Sequence, residues 1–294
     1  MWSSGSPDAP RRSGRSVITL SAAIGRYPHT AALLDGAVTD PKVTLDCAPF
    51  PVISRAFAPM VRELRFDVSE MAIATWLQAW AHGKPLVLLP RVLAARLQES
   101  SLFCRADSPI RGPGDLAGKR VGVRAYSQTT GLWLRGILQD SHGVAPESVR
   151  WVTFEDPHVA ECEDPPCATR AAAGHDMVKM LQAGELDAII SGNDAPSGDW
   201  LRPVFADPIA AGQEFIRRHG FTPINHLLVM RADQARHAAA VLRLMDAAGN
   251  APQAGCVAMM PAIAFAAHHA VRQGLIPRAP STQEIWAGLP PDIA

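Results

Sequence analysis

Apolar positions along this chain fall into short β-prone runs that alternate with stretches of helical spacing. Val17 to Ser21 reads as a first strand and Tyr27 to Asp35 as a helix ended by Gly36. Val43 to Cys47 reads as a second strand, and Val52 to Leu64 has helical apolar spacing. Phe66 to Val68 is a short strand, followed by a helix over Ser69 to His82 that stops at Gly83. An apolar strand at Leu86 to Leu89, the segment Arg91 to Glu99, and a strand at Ser101 to Cys104 complete a first unit. This β-α-β alternation predicts a parallel sheet covered by helices.

The pattern breaks at the turn-rich run 107–118 and then resumes. Lys119 to Val123 is a strand, Ser127 to Asp140 a helix, Val149 to Phe154 a strand, Asp176 to Leu186 a helix and Asp187 to Ser191 a strand. A second turn-rich break covers 192–198; Ile224 to Met230 then reads as a strand and the remainder as helices. Two breaks predict an α/β chain that leaves one lobe, builds another and returns. Lobe one is expected at 16–106 plus 200–294, lobe two at 107–199, with a cleft between them. A single doubly wound sheet is the alternative that periodicity leaves open.

Composition narrows the function classes. The 294 residues are 48% hydrophobic, enough for a large core. Lys plus Arg and Asp plus Glu both total 28, so no nucleic-acid or anionic membrane partner is expected. Residues 1–15, rich in Ser, Pro and Arg, read as a disordered leader without the apolar core of a secretory signal. A cytoplasmic location is expected. Of the five cysteines, Cys162 and Cys167 flank an acidic, proline-containing loop. A disulfide there is one reading; reduced thiols are the reading that suits the compartment.

Candidate chemistry gathers at strand ends, where α/β folds place ligands. The run Trp151 to Phe154 ends in Glu155, Asp156, Pro157 and His158: two carboxylates and an imidazole able to move protons near neutral pH. A solvated loop with a capping Asp is the other reading. Ser127, Gln128, Thr129 and Thr130 open a helix after a strand, which suits a carboxylate or phosphate; an ordinary N-cap would look the same. Glu70, at the start of the expected Ser69 helix, either complements the helix dipole or faces the cleft. Arg26 and His29 follow the first strand, and Arg26 is a candidate carboxylate clamp. Arg96 lies between two strands, and Asn225 with His226 heads the strand after the return crossing. No nucleophile elbow, GxGxxG or HExxH is present.

The segment Trp151 to Glu161, with Asp164-Pro165-Pro166 behind it, resembles 4,5-dihydroxyphthalate decarboxylases. Ala32 to Gly36, Phe66 to Met71, Gly131 to Asp140, Gly184 to Ala188, Gly192-Asn193-Asp194 and Pro223 to His226 carry the same resemblance, across about Ile18 to Met230. It implies the two-lobed fold of type II periplasmic solute-binding proteins and an aromatic dicarboxylate as the small-molecule partner. On the matching positions, His158, tuned by Glu155 or Asp156, and His226 are expected to transfer protons. Arg26, His29, Glu70, Arg96, Ser127, Gln128, Thr129, Thr130, Asn193 and Asp194 are expected to hold the substrate. No cofactor is expected, although Glu155, His158 and His226 could ligate a divalent metal if they converged. The C-terminal helices would suit a homo-oligomer. A non-catalytic binding protein for an aromatic dicarboxylate is the rival reading.

Overall fold

The computed structural model describes residues 17–192 and 195–293. The expected leader 1–15, and the candidates Asn193 and Asp194, lie outside the described residues. The first sheet contains β1 (Ile18–Ala23), β2 (Val43–Cys47), β3 (Val68–Ala72), β4 (Leu86–Ala95) and, from much later in the chain, β11 (Ile224–Arg231). The second contains β5 (Leu102–Arg105), β6 (Arg120–Val123), β7 (Arg150–Thr153), β8 (Ala168–Arg170), β9 (Ala188–Ile190) and β10 (Leu201–Pro203). Their orders are β2-β1-β3-β11-β4 and β10-β5-β9-β6-β7-β8.

The helices are α1 (Ala31–Leu34), α2 (Phe57–Glu63), α3 (Ile73–Ala81), α4 (Thr129–His142), α5 (Met177–Gln182), α6 (Pro208–His219), α7 (Ala238–Ala248), α8 (Cys256–Arg272) and α9 (Thr282–Ile285). Both faces of the first sheet are apolar and covered. Leu20, Val43, Val68, Leu228 and Met230 pack with Val241 and Leu244 of α7, whereas Met71, Leu88 and Val92 join a core continuous with Val121, Trp151 and Ile190 of the second sheet. Helix α8 packs on both α3 and α4, and Trp133 of α4 donates its indole N–H to the Ile224 carbonyl at 2.8 Å. The two lobes therefore share a common seam.

Four details differ from the sequence expectation. Both sheets are mixed: β11 runs antiparallel to β3 and β4, and β5 runs antiparallel to β9 and β10, each being the strand by which the chain enters from the other sheet. β4 continues through Pro90 to Ala95, which its edge position permits: only the segment 253–255 lies beyond it, and there the Pro90 carbonyl accepts the Gly255 N–H while the Gly255 carbonyl is taken by Met259 N–H. The chain changes sheets at 96–101, ahead of the turn-rich run, because β5 already pairs in the second sheet. Finally, Ser69-Glu70-Met71 does not open a helix. It is the middle of β3, buried at every position, and α3 starts only at Ile73.

Candidate active site

Glu70 is the anchor of the site. Its side chain is 0% exposed, and three donors hold it. Gly25 N–H reaches Oε2 at 2.8 Å, while the Tyr27 hydroxyl and His226 Nδ1 both reach Oε1 at 2.5 Å. A buried carboxylate is tolerated only when bonded in this way. With Nδ1 committed to a carboxylate, the proton belongs on Nδ1, and Nε2 of His226 is the nitrogen left to a ligand. The imidazole stays 22% exposed, so the dyad has an open edge. His226 also sits where the β11–β4 register shifts on both sides of it. Irregularities of this kind re-aim a side chain out of the regular pleat.

His158 approaches from the other lobe. It rides on a loop that leaves β7 at Thr153 and is closed at its base by the Thr153 hydroxyl donating to Asp164 at 2.9 Å. Between these ends Val159 plugs into the core. The first lobe grips the tip. Arg62 donates to the carbonyls of Pro157 (2.7 Å) and His158 (2.8 Å), Lys84 pairs with Glu161 (2.5 Å), and Thr75 Oγ1 meets His158 Nδ1 at 2.8 Å. Phe57 of α2 then presents its ring edge-on to both imidazoles, with centroids 5.7 Å from His158 and 5.1 Å from His226. The two histidines thus flank one aromatic side chain at the seam.

Their electrostatic surroundings differ. Burial pushes His158 down to about 4, and the cations of Arg124 and Arg62 and the neighbouring His226 push it in the same direction. His158 is therefore a neutral imidazole at pH 7. Burial raises the Tyr27 hydroxyl, and the Glu70 carboxylate adds to the effect, so Tyr27 remains a phenol that donates to Glu70. His29 is lowered, mainly by burial and then by Arg91, and its ring lies flat on Tyr27 at 5.3 Å.

Next to the histidines, two helix starts meet across the seam. Thr129 Oγ1 accepts the Ala74 N–H from the first turn of α3 at 3.3 Å. Helix α4 begins with Gln128 as N-cap, and no side chain caps it. Ser127, Thr129 and Thr130 are buried there, and Arg96 reaches Thr130 Oγ1 at 3.4 Å. An N-terminus with hydroxyls, a guanidinium and nearby Arg124 makes an electropositive wall suited to a carboxylate.

Several expected residues lie elsewhere. Asp156 is an exposed partner of Arg170 (3.0 Å), and Glu155 is an exposed partner of Arg124 (3.3 Å). Neither tunes His158, whose direct partner is the Thr75 hydroxyl. Arg26 is paired with Asp35 at 2.6 Å, both well exposed, because the short α1 brings Asp35 back beside it. His29 stacks on Tyr27. Among the described residues no three His, Cys, Asp or Glu side chains are grouped to hold a metal, so Glu155 does not join His158 and His226 as a ligand set. All five cysteines are free thiols. Tyr27, Phe57, Arg62, Thr75 and Arg124 are the contributors that sequence reasoning did not assign. Tyr27, in the loop after the first strand with Arg26 and His29, and Arg124, directly after a strand at residues 120–123, carried the strand-end signal used for Glu155.

The family model described as NMT1/THI5 like matches residues 62–193. A 4,5-dihydroxyphthalate decarboxylase of Comamonas testosteroni is 31% identical over 233 residues, 74% of this chain and 69% of that protein. The chain belongs to the 4,5-dihydroxyphthalate decarboxylase family. A second member, from Pseudomonas putida, is 31% identical over 192 residues, covering 61% of this chain and 72% of its own. In three dimensions the family fold is that of solute-binding proteins. A putative sulfonate transporter's periplasmic sulfonate-binding protein from Methylobacillus flagellatus superimposes with a TM-score of 0.54 at 12% identity, covering 94% of this chain and 92% of that one. The periplasmic aliphatic sulphonate-binding protein of Escherichia coli gives 0.52 at 15% identity, covering 94% and 80%. The two lobes and the seam are therefore the binding-protein architecture, and residues such as Glu70, His158 and His226 are what this decarboxylase family member carries within it.

Proposed function

We propose that this protein removes one carboxylate of 4,5-dihydroxyphthalate as carbon dioxide and releases protocatechuate, without an oxidant. The observation that carries the reading is a carboxylate-paired imidazole and a cation-flanked imidazole on opposite sides of one seam. Direct loss of carbon dioxide would leave an aryl carbanion. The accessible route takes the proton from the hydroxyl para to the departing carboxylate, which drives electron density to the ring carbon bearing that carboxylate. A proton is delivered to that carbon, the C–C bond breaks with its electron pair restoring aromaticity, and the phenolate is reprotonated. The net change is one proton taken up and one carbon dioxide lost.

The two imidazoles suit different halves of this sequence. An imidazole backed by a carboxylate is the stronger base, since the carboxylate stabilises the imidazolium that forms, so His226 Nε2 accepts the phenolic proton. An imidazole facing Arg62 and Arg124 is the weaker base, and its conjugate acid the stronger acid. A bound dianion offsets those cations, lets His158 take up a proton, and makes it the donor to the ring carbon. The α4 start, Arg96 and Arg124 hold the carboxylate that stays. No metal enters these steps. The five free thiols fit a reducing, cytoplasmic setting.

The fold's resemblance to sulfonate-binding proteins favours one rival, a protein that grips an aromatic dicarboxylate without reacting. Incubation with 4,5-dihydroxyphthalate separates the two. Protocatechuate and carbon dioxide in equal amounts are expected, and tight binding of intact substrate with no product would establish the rival instead. Replacing His226 or His158 by Gln should then slow product formation by about 10²–10⁴-fold each while leaving the fold intact.

A further inference from the structure

Oε1 of Glu70 is shared. Both the Tyr27 hydroxyl and His226 Nδ1 donate to it at 2.5 Å, and these two donors lie 3.5 Å from each other. Oε2 is taken by the Gly25 N–H, and a Cβ at Gly25 would stand 2.9 Å from that oxygen and 3.0 Å from the Tyr27 ring. Tyr27 itself has no freedom to act elsewhere, because the turn that begins with its own N–H donating to Thr30 Oγ1 fixes its backbone and His29 lies flat on its ring. We infer that Tyr27 is a positioning residue for the proton-accepting histidine. It competes with His226 for one carboxylate oxygen and so sets how much negative charge the imidazole feels. The inference rests on the decarboxylase reading above and adds to it the residue that regulates the base.

A carboxylate oxygen that accepts two donors divides its charge between them. Without the Tyr27 hydroxyl, the whole of Oε1 faces His226, and the protonated imidazole is favoured. The groups that face His226 are Glu70 from β3, Tyr27 from the β1–α1 turn, Phe57 from α2 and His158 from the opposite lobe, with Arg62 and Arg124 behind His158. Of these, only Tyr27 donates to the same oxygen.

Tyr27→Phe removes the donor and keeps the ring that stacks on His29. The acid limb of kcat/KM should move to higher pH by about one unit, so that activity is about tenfold below wild type on that limb and recovers at alkaline pH. A structural role alone would lower activity equally at all pH values, and that result, or an unmoved profile, overturns the inference. The histidine Cε1–H NMR titration of His226 without substrate gives an independent reading. It should shift in the same direction by a similar amount, and an unshifted titration refutes the inference even in a protein that shows no turnover. Absence of turnover in the wild type would instead remove the decarboxylase reading. If Tyr27→Phe does not fold, Gly25→Ala tests the same carboxylate from its other oxygen. Displacing Oε2 should also move the His226 titration, and no movement there counts against the inference.

Discussion

The neutral state of His158 makes a prediction about acid stability that needs no knowledge of the reaction. In the folded protein this imidazole is lowered to about 4 by burial and by Arg124 and Arg62, whereas an unfolded histidine titrates near 6.5. Between these values the unfolded chain binds the extra proton and the folded one does not, so stability must fall as pH falls. The contribution is fully present above pH 6.5, declines through the interval, and is gone below pH 4. Linkage gives about 2.5 kcal/mol lost between pH 7 and pH 4.5, an upper figure because the ring is only partly enclosed. His158→Gln can keep the bond to Thr75 and cannot titrate. Urea denaturation of both proteins at pH 7 and pH 4.5 therefore separates the effect of His158 from that of the other lowered histidines. Wild type should lose about 2 kcal/mol more than the variant over that interval. Parallel losses in the two proteins would mean that His158 is freely solvated, and the account of the seam would be wrong.

Three further outcomes are expected. Arg26→Ala should leave kcat and KM within about twofold of wild type in a steady-state assay, because its pair with Asp35 lies in solvent, where such pairs are weak, and its partner is not at the seam; a large rise in KM would restore it as a carboxylate clamp. Arg91→Met should lower stability by about 1–3 kcal/mol in urea titrations without a selective effect on KM, since the buried guanidinium donates to the Met245 and Gly249 carbonyls at the end of α7, while its partner Asp246 is solvated and bears the loss. Turnover should be unchanged by prolonged treatment with a chelator, measured as protocatechuate formed, and a loss restored by added divalent ion would refute the metal-free sequence of steps.

The alternation of strand and helix was legible because burying one face of each element imposes a period, and the two turn-rich breaks announced a chain that leaves and returns. What periodicity could not register is direction. β11 reads as an ordinary apolar strand, and only the crossing geometry makes it antiparallel to its neighbours. Glu70 was misread for a related reason. A glutamate before an apolar stretch resembles a helix start, and nothing in Val-Ser-Glu-Met-Ala reveals three donors arriving from residues 25, 27 and 226. His158 and His226 stood out because imidazoles at strand ends are chemically conspicuous. Glu155 and Asp156 shared that position, yet their side chains turned to Arg124 and Arg170 in solvent, since carboxylates with exposed cations nearby have no reason to desolvate. Phe57 and Thr75 looked like core, and they are core that happens to line the seam.

The loop that carries His158 has one further consequence. It is rooted in the second lobe through Thr153 and Asp164, while Arg62, Thr75 and Lys84 of the first lobe hold its far end. His226 belongs wholly to the first lobe. The spacing of the two imidazoles is therefore set by contacts from both lobes, so that a substitution at Arg62 or Lys84 would displace His158 relative to His226 without touching either ring.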